Sequence, residues 1–130
     1  MVVLDFWATW CKPCLPALQI VKEVTDHYAL MDVAFYAVNC GEERESIRRF
    51  LKNQRLDISV LLDQDGSANK AYITRGIPHT VVIDKNGKIQ VIHLGFSQDL
   101  KSSLKVELQA ILDGEDLILK ASGDNHTGTK

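Results

Sequence analysis

Cys11 and Cys14 frame the run Cys11-Lys12-Pro13-Cys14, and their type and spacing imply chemistry more directly than any other residues in the chain. Two intervening residues on a first helical turn bring the thiols within disulfide reach. The chemistry depends on what surrounds the run. Ahead of it, Val2-Val3-Leu4-Asp5-Phe6-Trp7 is short, apolar and β-branched, the pattern of a buried parallel strand. Behind it, Leu15, Leu18, Val21, Val24 and Tyr28 recur at spacings of three and four and predict a helix to about Tyr28. A strand that turns into a helix delivers Cys11 to the helix N-terminus, where backbone N–H groups and the dipole favour a thiolate. Lys12 adds a positive charge that solvent weakens. Cys14 points further inward and suits the resolving role: Cys11 attacks a substrate disulfide, and Cys14 then attacks the mixed disulfide. Zinc is one rival reading, but structural zinc usually takes four ligands in paired sets. Here Cys40 lacks a near neighbour, and His27, His79, His93 and His126 are scattered singly, so no metal is expected. A structural disulfide is the other rival, although so short a loop would stabilise little.

The whole chain sets bounds on these readings. It has 130 residues, 45% hydrophobic and 25% charged, with a net charge of −2. That describes one soluble domain, able to bury roughly two-thirds of its unfolded surface without a disulfide scaffold. Three cysteines would be too few for such a scaffold. The balanced charge points to no nucleic-acid or anionic-membrane partner. No apolar run approaches the roughly 20 residues of a membrane span, and no basic-then-apolar leader opens the chain. The immediate start on a core strand reads as a domain cut from a longer protein, so the missing leader leaves the compartment open.

Further elements must position the cysteines. Residues 32–39 form a second apolar strand. Residues 41–57 crowd Glu42, Glu43, Arg44, Glu45, Arg48, Arg49, Lys52, Arg55 and Asp57 around one stripe of Ile47, Phe50 and Leu51. The signs alternate, so this is a surface helix with a solvated outer face. A short apolar run at 58–62 ends in Asp63-Gln64-Asp65-Gly66, which lacks the further ligands of a calcium loop and reads as a turn. A short helix is expected over 68–74. Strands at 78–84 and 88–94 flank an Asn86-Gly87 turn, a hairpin signal. Ser97 or Asp99 caps a last helix carrying Leu100, Leu104, Leu108, Ile111 and Leu112. The order β-α-β-α-β-α-β-β-α predicts an α/β fold: a mixed sheet with helices on both faces. The domain is expected over 1–113, with 114–130 as a C-terminal extension whose tail, from about 122, is too polar to bury. Asn125-His126-Thr127 matches a glycosylation acceptor by chance.

The segment Phe6-Trp7-Ala8-Thr9-Trp10-Cys11-Lys12-Pro13-Cys14 resembles the active-site segment of thioredoxin-like proteins. Gly76-Ile77-Pro78-His79-Thr80, a strand and Asp84-Lys85-Asn86-Gly87-Lys88-Ile89 resemble the family's second landmark. Trp7-Ala8-Thr9-Trp10-Cys11, with the charged helix inserted at about 42–55, is most similar to the TlpA/ResA-type branch of bacterial thiol–disulfide oxidoreductases. The resemblance covers residues 2 to about 112. It implies a thioredoxin-like fold that lacks the usual preceding strand and helix. It also implies that Pro78 is the family's cis-proline, lying against the cysteines and exposing the Ile77 backbone to pair with an extended substrate. Lacking an N–H, Pro78 offers no donor there.

Asp5 interrupts the apolar strand. Burial should raise its pKa, and near Cys14 it could then take that thiol's proton. Thioredoxins carry an aspartate at the matching place, whereas many of the TlpA/ResA branch carry asparagine; an aspartate paired to backbone at the strand edge is the alternative. Phe35 stands where other thioredoxins put a buried lysine, so coupling of Asp5 to a cation is in doubt. Pro16 falls earlier than the family's usual helix proline and is expected to cost one helical hydrogen bond. Trp7 reads as core. Trp10, Lys12 and Pro13 read as substrate-docking surface together with Ile77 and Pro78. Cys40 reads as a buried spectator thiol. His79 either tunes the site or points into solvent.

These readings converge on a thiol–disulfide oxidoreductase, with Cys11 as nucleophile, Cys14 as resolver and Asp5 as proton acceptor. It needs no cofactor beyond the Cys11–Cys14 disulfide. By resemblance it acts as a reductant on protein thiols and disulfides, in cell redox homeostasis or cytochrome c biogenesis, and is recharged by an upstream electron-donor protein. It is expected as a monomer, extracytoplasmic or membrane-tethered in the full-length protein, with a cytoplasmic setting still open. The alternative is a thioredoxin-fold protein-binding module with an incidental disulfide. A thiol peroxidase lacks support.

Overall fold

The computed structural model describes residues 1–72 and 75–119. A five-stranded mixed sheet carries the chain. Its strands are β1 (Val2–Trp7), β2 (Ala34–Cys40), β3 (Val60–Asp63), β4 (His79–Ile83) and β5 (Ile89–Leu94), in the spatial order β3-β2-β1-β4-β5. β1 pairs parallel with β2, and β2 parallel with β3; β4 runs antiparallel to both β1 and β5. The central strand β1 therefore has neighbours on both sides and is apolar on both faces, except at Asp5.

Alternation along β1 sorts the core. Val3 and Trp7 face α1 (Cys14–His27), whose buried stripe is Cys14, Ala17, Leu18, Val21, Val24 and Thr25. Leu15, expected on that stripe, is only half-buried. α4 (Leu100–Leu112) packs beside α1 through Leu100, Leu104 and Leu108. α2 (Arg44–Gln54) is the inserted charged helix; Ile47 is its one buried residue and reaches the cluster of Trp7, Cys11 and Cys14. On the other face Leu4 and Phe6 meet Ala68 and Tyr72, at and just beyond α3 (Ser67–Ala71). Helices thus cover both faces, as expected. The last two positions predicted helical before residue 75 lie outside the described residues, as does the Asn125-His126-Thr127 run.

Local differences from the expectation have physical reasons. The hairpin between β4 and β5 uses a three-residue loop rather than a tight Asn-Gly turn. The Gly87 N–H donates to the Asp84 carbonyl at 3.0 Å, and Gly87 alone in the loop takes a positive φ, +80°. Asp99 stands at the N-cap of α4, but its side chain makes no capping bond; the Ser102 hydroxyl and the Ser103 N–H both use its carbonyl instead. Pro16 costs α1 no hydrogen bond. It is the third helical residue, where an N–H would have no partner inside the helix. The extension after α4 folds back on β5: the Leu117 N–H donates to Gln90 Oε1 at 2.8 Å, and Lys88 pairs with Asp116 at 2.8 Å.

The packing gives a direct test of the helical layer. Leu104→Ala should lower the unfolding free energy by about 2–5 kcal/mol in a denaturant titration. Val106→Ala, two residues away but 69% exposed, should change it by no more than about 0.5 kcal/mol. Equal losses would contradict the placement of α4.

Candidate active site

The site gathers where β1 and β2 end and β4 begins. β1 stops at Trp7, and the chain turns through 8–11, closed by the Cys11 N–H donating to the Ala8 carbonyl at 3.2 Å. α1 then starts at Cys14, with Pro13 as its N-cap. Cys11 and Cys14 form a disulfide, their Cα atoms 5.3 Å apart. Cys14 is wholly buried and Cys11 is 7% exposed, so the edge of Cys11 is the part an incoming chain can meet. Trp10, Lys12 and Pro13 surround it on the surface, with Trp10 71% exposed.

The peptide bond between Ile77 and Pro78 is cis. Pro78 is buried and Ile77 half-buried. Cys11 Sγ lies 3.7 Å from the Ile77 carbonyl oxygen. An oxidised sulfur has no proton to donate, so this is a contact, and it sets the redox sulfur beside the backbone just ahead of β4. Five of the expected site residues, Cys11, Cys14, Trp10, Ile77 and Pro78, are therefore brought to one edge of the sheet, with Lys12 and Pro13 between the cysteines.

Asp5 sits deeper, on the same face of β1 as Val3 and Trp7, beneath α1. It is completely buried. Its register partners are Ala37 on β2 and Thr80 on β4. The Thr80 hydroxyl donates to Asp5 Oδ1 at 3.2 Å, and Oδ2 lacks a partner among the described residues. Burial pushes the carboxyl up to about 8, only partly offset by the Thr80 hydrogen bond. No cation contributes, in keeping with Phe35 in the neighbouring strand.

Other readings change. His79 is neither at the cysteines nor in solvent. It is buried against Phe6, ring centroids 5.7 Å apart, on the face of the sheet away from Asp5. Cys40 is half-buried rather than buried; its Sγ lies within 3.4 Å of the Asn69 side chain, and burial raises its pKa. Trp7 is core, against Phe50. Among the described residues, no three His, Cys, Asp or Glu side chains converge as a metal site would need. Glu42, expected on a solvated face, instead reaches the Cys11 turn and accepts hydrogen bonds from Thr9 and Asn39. Its one sequence signal is its position just after the glycine that ends a strand, and that is weak.

Comparison with known proteins agrees with this geometry. Residues 1–108 match the Redoxin family model. The thiol–disulfide oxidoreductase ResA of Geobacillus thermodenitrificans is 34% identical over 106 residues, 80% of this chain and 61% of that protein. The thioredoxin-like protein YneN of Bacillus subtilis is 35% identical over 111 residues, 82% of this chain and 64% of that one. The chain thus spans roughly three-fifths of the length of these curated relatives. Among solved structures, a candidate DsbE-type thiol:disulfide interchange protein from Chlorobium tepidum has a TM-score of 0.79 at 31% identity, covering 85% of this chain and 79% of that one. StoA from Bacillus subtilis has a TM-score of 0.68 at 25% identity, covering 80% and 78%. A Redoxin match over most of the chain, a mixed sheet with helices on both faces and a disulfide at the strand-to-helix turn agree with one another, and the chain belongs to the Redoxin family as a thioredoxin-like protein of the TlpA/ResA type.

Proposed function

We propose that the protein reduces disulfides in protein substrates by thiol–disulfide exchange through Cys11 and Cys14. The observation that carries this is the placement of Cys11 Sγ, at the start of α1 and 3.7 Å from the Ile77 carbonyl, with Cys14 buried behind it. In the reduced protein the Cys11 thiolate attacks one sulfur of a substrate disulfide. The substrate S–S bond breaks, a Cys11–substrate bond forms, and the departing substrate thiolate takes a proton. Cys14 then loses its proton and attacks Cys11 Sγ, which releases the second substrate thiol and leaves the Cys11–Cys14 disulfide. Two electrons have passed to the substrate, and a dithiol donor protein must return them.

The roles follow from position. The N-terminal end of α1 favours negative charge on Cys11. The Ile77 backbone and the exposed Trp10 ring offer a strand-like edge and a flat apolar surface to an extended substrate segment. The ionised form of Asp5 takes the Cys14 proton: its raised pKa, about 8, makes that carboxylate a base of matching strength for a thiol. No helix among the described residues is long and apolar enough to cross a membrane. By resemblance to the ResA-type branch, the full-length protein works outside the cytoplasm, as a monomer, supplying electrons to targets that include apocytochrome c.

The reaction is tested by trapping. Cys14→Ser should accumulate a mixed disulfide between Cys11 and a disulfide-bonded protein such as insulin, and Cys11→Ser should give none and no turnover. A Cys11→Ser variant that kept full biological activity would favour the binding-module reading instead.

Asp5 is tested twice. With Cys14 intact, Asp5→Asn should slow resolution of the mixed disulfide at neutral pH; an unchanged rate across pH 6–9 would remove Asp5 from the mechanism. Stability gives an independent readout. The native carboxyl is still half protonated at about pH 8, while in the unfolded chain it loses its proton near 3.8, the ordinary aspartate value. The unfolded state therefore binds fewer protons between these values, and native stability falls as pH rises, by up to about 1.4 kcal/mol per pH unit. Asp5→Asn should unfold at higher denaturant than the native sequence at pH 8, with the advantage vanishing toward pH 4.

A further inference from the structure

The turn that carries Cys11 is held from the neighbouring strand end by one carboxylate. β1 and β2 finish in register, Trp7 opposite Asn39. After β2 the chain reverses at Gly41, whose φ of +78° suits glycine and whose N–H donates to the Asp63 carbonyl at 3.2 Å. This reversal brings Glu42 back over the end of β1. Its Oε1 accepts from the Thr9 N–H at 2.7 Å and from Asn39 Nδ2 at 2.8 Å, and its Oε2 accepts from the Thr9 hydroxyl at 2.5 Å. Asn39 is wholly buried, and its Oδ1 accepts from the Glu42 N–H at 3.1 Å, so both ends of its amide hold the glutamate. Bonds to a carboxylate are the stronger kind. Thr9 is two residues before Cys11, and the turn's own closure is the single Cys11-to-Ala8 bond.

We propose that Glu42 is a positioning residue for Cys11: through Thr9 it fixes the turn so that the sulfur stays at the start of α1 and beside the Ile77 carbonyl. This rests on the oxidoreductase reading and deepens it. Position and charge make opposite predictions. If Glu42 acts by position, its loss lets Cys11 drift from the positive end of the helix, and the thiol becomes harder to ionise. If Glu42 acted only as a nearby negative charge, its loss would make the thiol easier to ionise. Glutamine separates the two cases. Its oxygen can accept from the Thr9 N–H and Asn39, and its nitrogen can donate to the Thr9 hydroxyl, so shape survives and charge does not.

The experiment measures two quantities on the reduced protein: the pH profile of Cys11 alkylation by iodoacetamide, and the rate constant for insulin reduction. Glu42→Ala should slow exchange about tenfold and move the alkylation midpoint upward by at least about half a pH unit. Glu42→Gln should stay within about threefold in rate and show no upward move. An Ala variant with native rate and profile overturns the proposal, and so does a downward move shared by Ala and Gln. If Glu42→Ala does not fold by circular dichroism, Thr9→Val decides, because it removes only the hydroxyl bond; a smaller upward move supports the clamp, and an unchanged profile overturns it. Native protein that alkylates at Cys11 but reduces no disulfide would sink the oxidoreductase reading, while the alkylation profiles still judge Glu42.

Discussion

A strand paired on both sides can end only by leaving the sheet, and β1 ends between β2 and β4. Every part of the site is placed by that constraint. β2 runs parallel to β1, so its end, with Asn39 and then Glu42, falls beside the end of β1. β4 runs antiparallel, so it is its beginning, with Ile77 and Pro78 just ahead, that reaches the same edge. Three chain segments far apart in sequence therefore meet at the turn that carries Cys11. Three pieces of backbone aligned by ladder hydrogen bonds hold a sulfur more rigidly than three loops could.

The same strand bears the cost of function. Its side chains would bury well if all were apolar, yet Asp5 stands in the middle with one carboxylate oxygen lacking a partner among the described residues, and the Trp7 Nε1 donor is likewise unpartnered there. A buried polar group without its hydrogen bond costs about 1–3 kcal/mol. Nothing in the packing of α1 on α4 requires either group; Leu18, Val21, Leu104 and Leu108 show what the fold does where only stability matters. The unpaired carboxyl on the strand that leads to the cysteines fits the proton-acceptor role proposed for Asp5, while Trp7 shows that core packing alone tolerates such a group.

What could be read from the chain alone follows from the range of the signals. Elements were legible where one segment declares itself: the apolar run of β1, the three-and-four spacing of α1, the Cys-Lys-Pro-Cys turn between them and the single apolar stripe of α2. Trp7 and Asp5 were legible because a strand buried on both faces leaves little ambiguity about which residues are inside. The Glu42 clamp was not, because it depends on β1 and β2 ending in the same register, and neither strand states the other's register. His79 was misplaced for a related reason. Its neighbours Pro78 and Thr80 both belong to the site, but a strand alternates, and the phase of β4 turns His79 toward Phe6. The loop of the hairpin was legible as a turn but not by type, since Asn86-Gly87 fits both a two-residue turn and the three-residue loop that forms.

The start of α1 bears on how the two thiols would differ in character under the proposed mechanism. Of the first N–H positions, Pro13 and Pro16 have none, and the Cys14 and Leu15 N–H groups donate to the Cys11 and Lys12 carbonyls. Direct hydrogen bonds from those positions are thus mostly absent, and the influence left on Cys11 is the helix field, about 0.3–1 kcal/mol near a surface and up to about 2 where partly buried. Lys12 is exposed, so its charge is screened. That suits a first nucleophile, which must ionise readily without becoming an inert anion. Cys14 sits one turn further in, without exposure to solvent, on the side of the sheet where Asp5 is buried. Burial lifts the Asp5 carboxyl to about 8, so near neutral pH only a minority of it is ionised and able to accept a proton. Under the proposed mechanism, Cys14 passes its proton to the ionised Asp5 carboxylate once the mixed disulfide has formed, and then attacks. On that proposal, the order of the two attacks rests on one helix end and one buried acid.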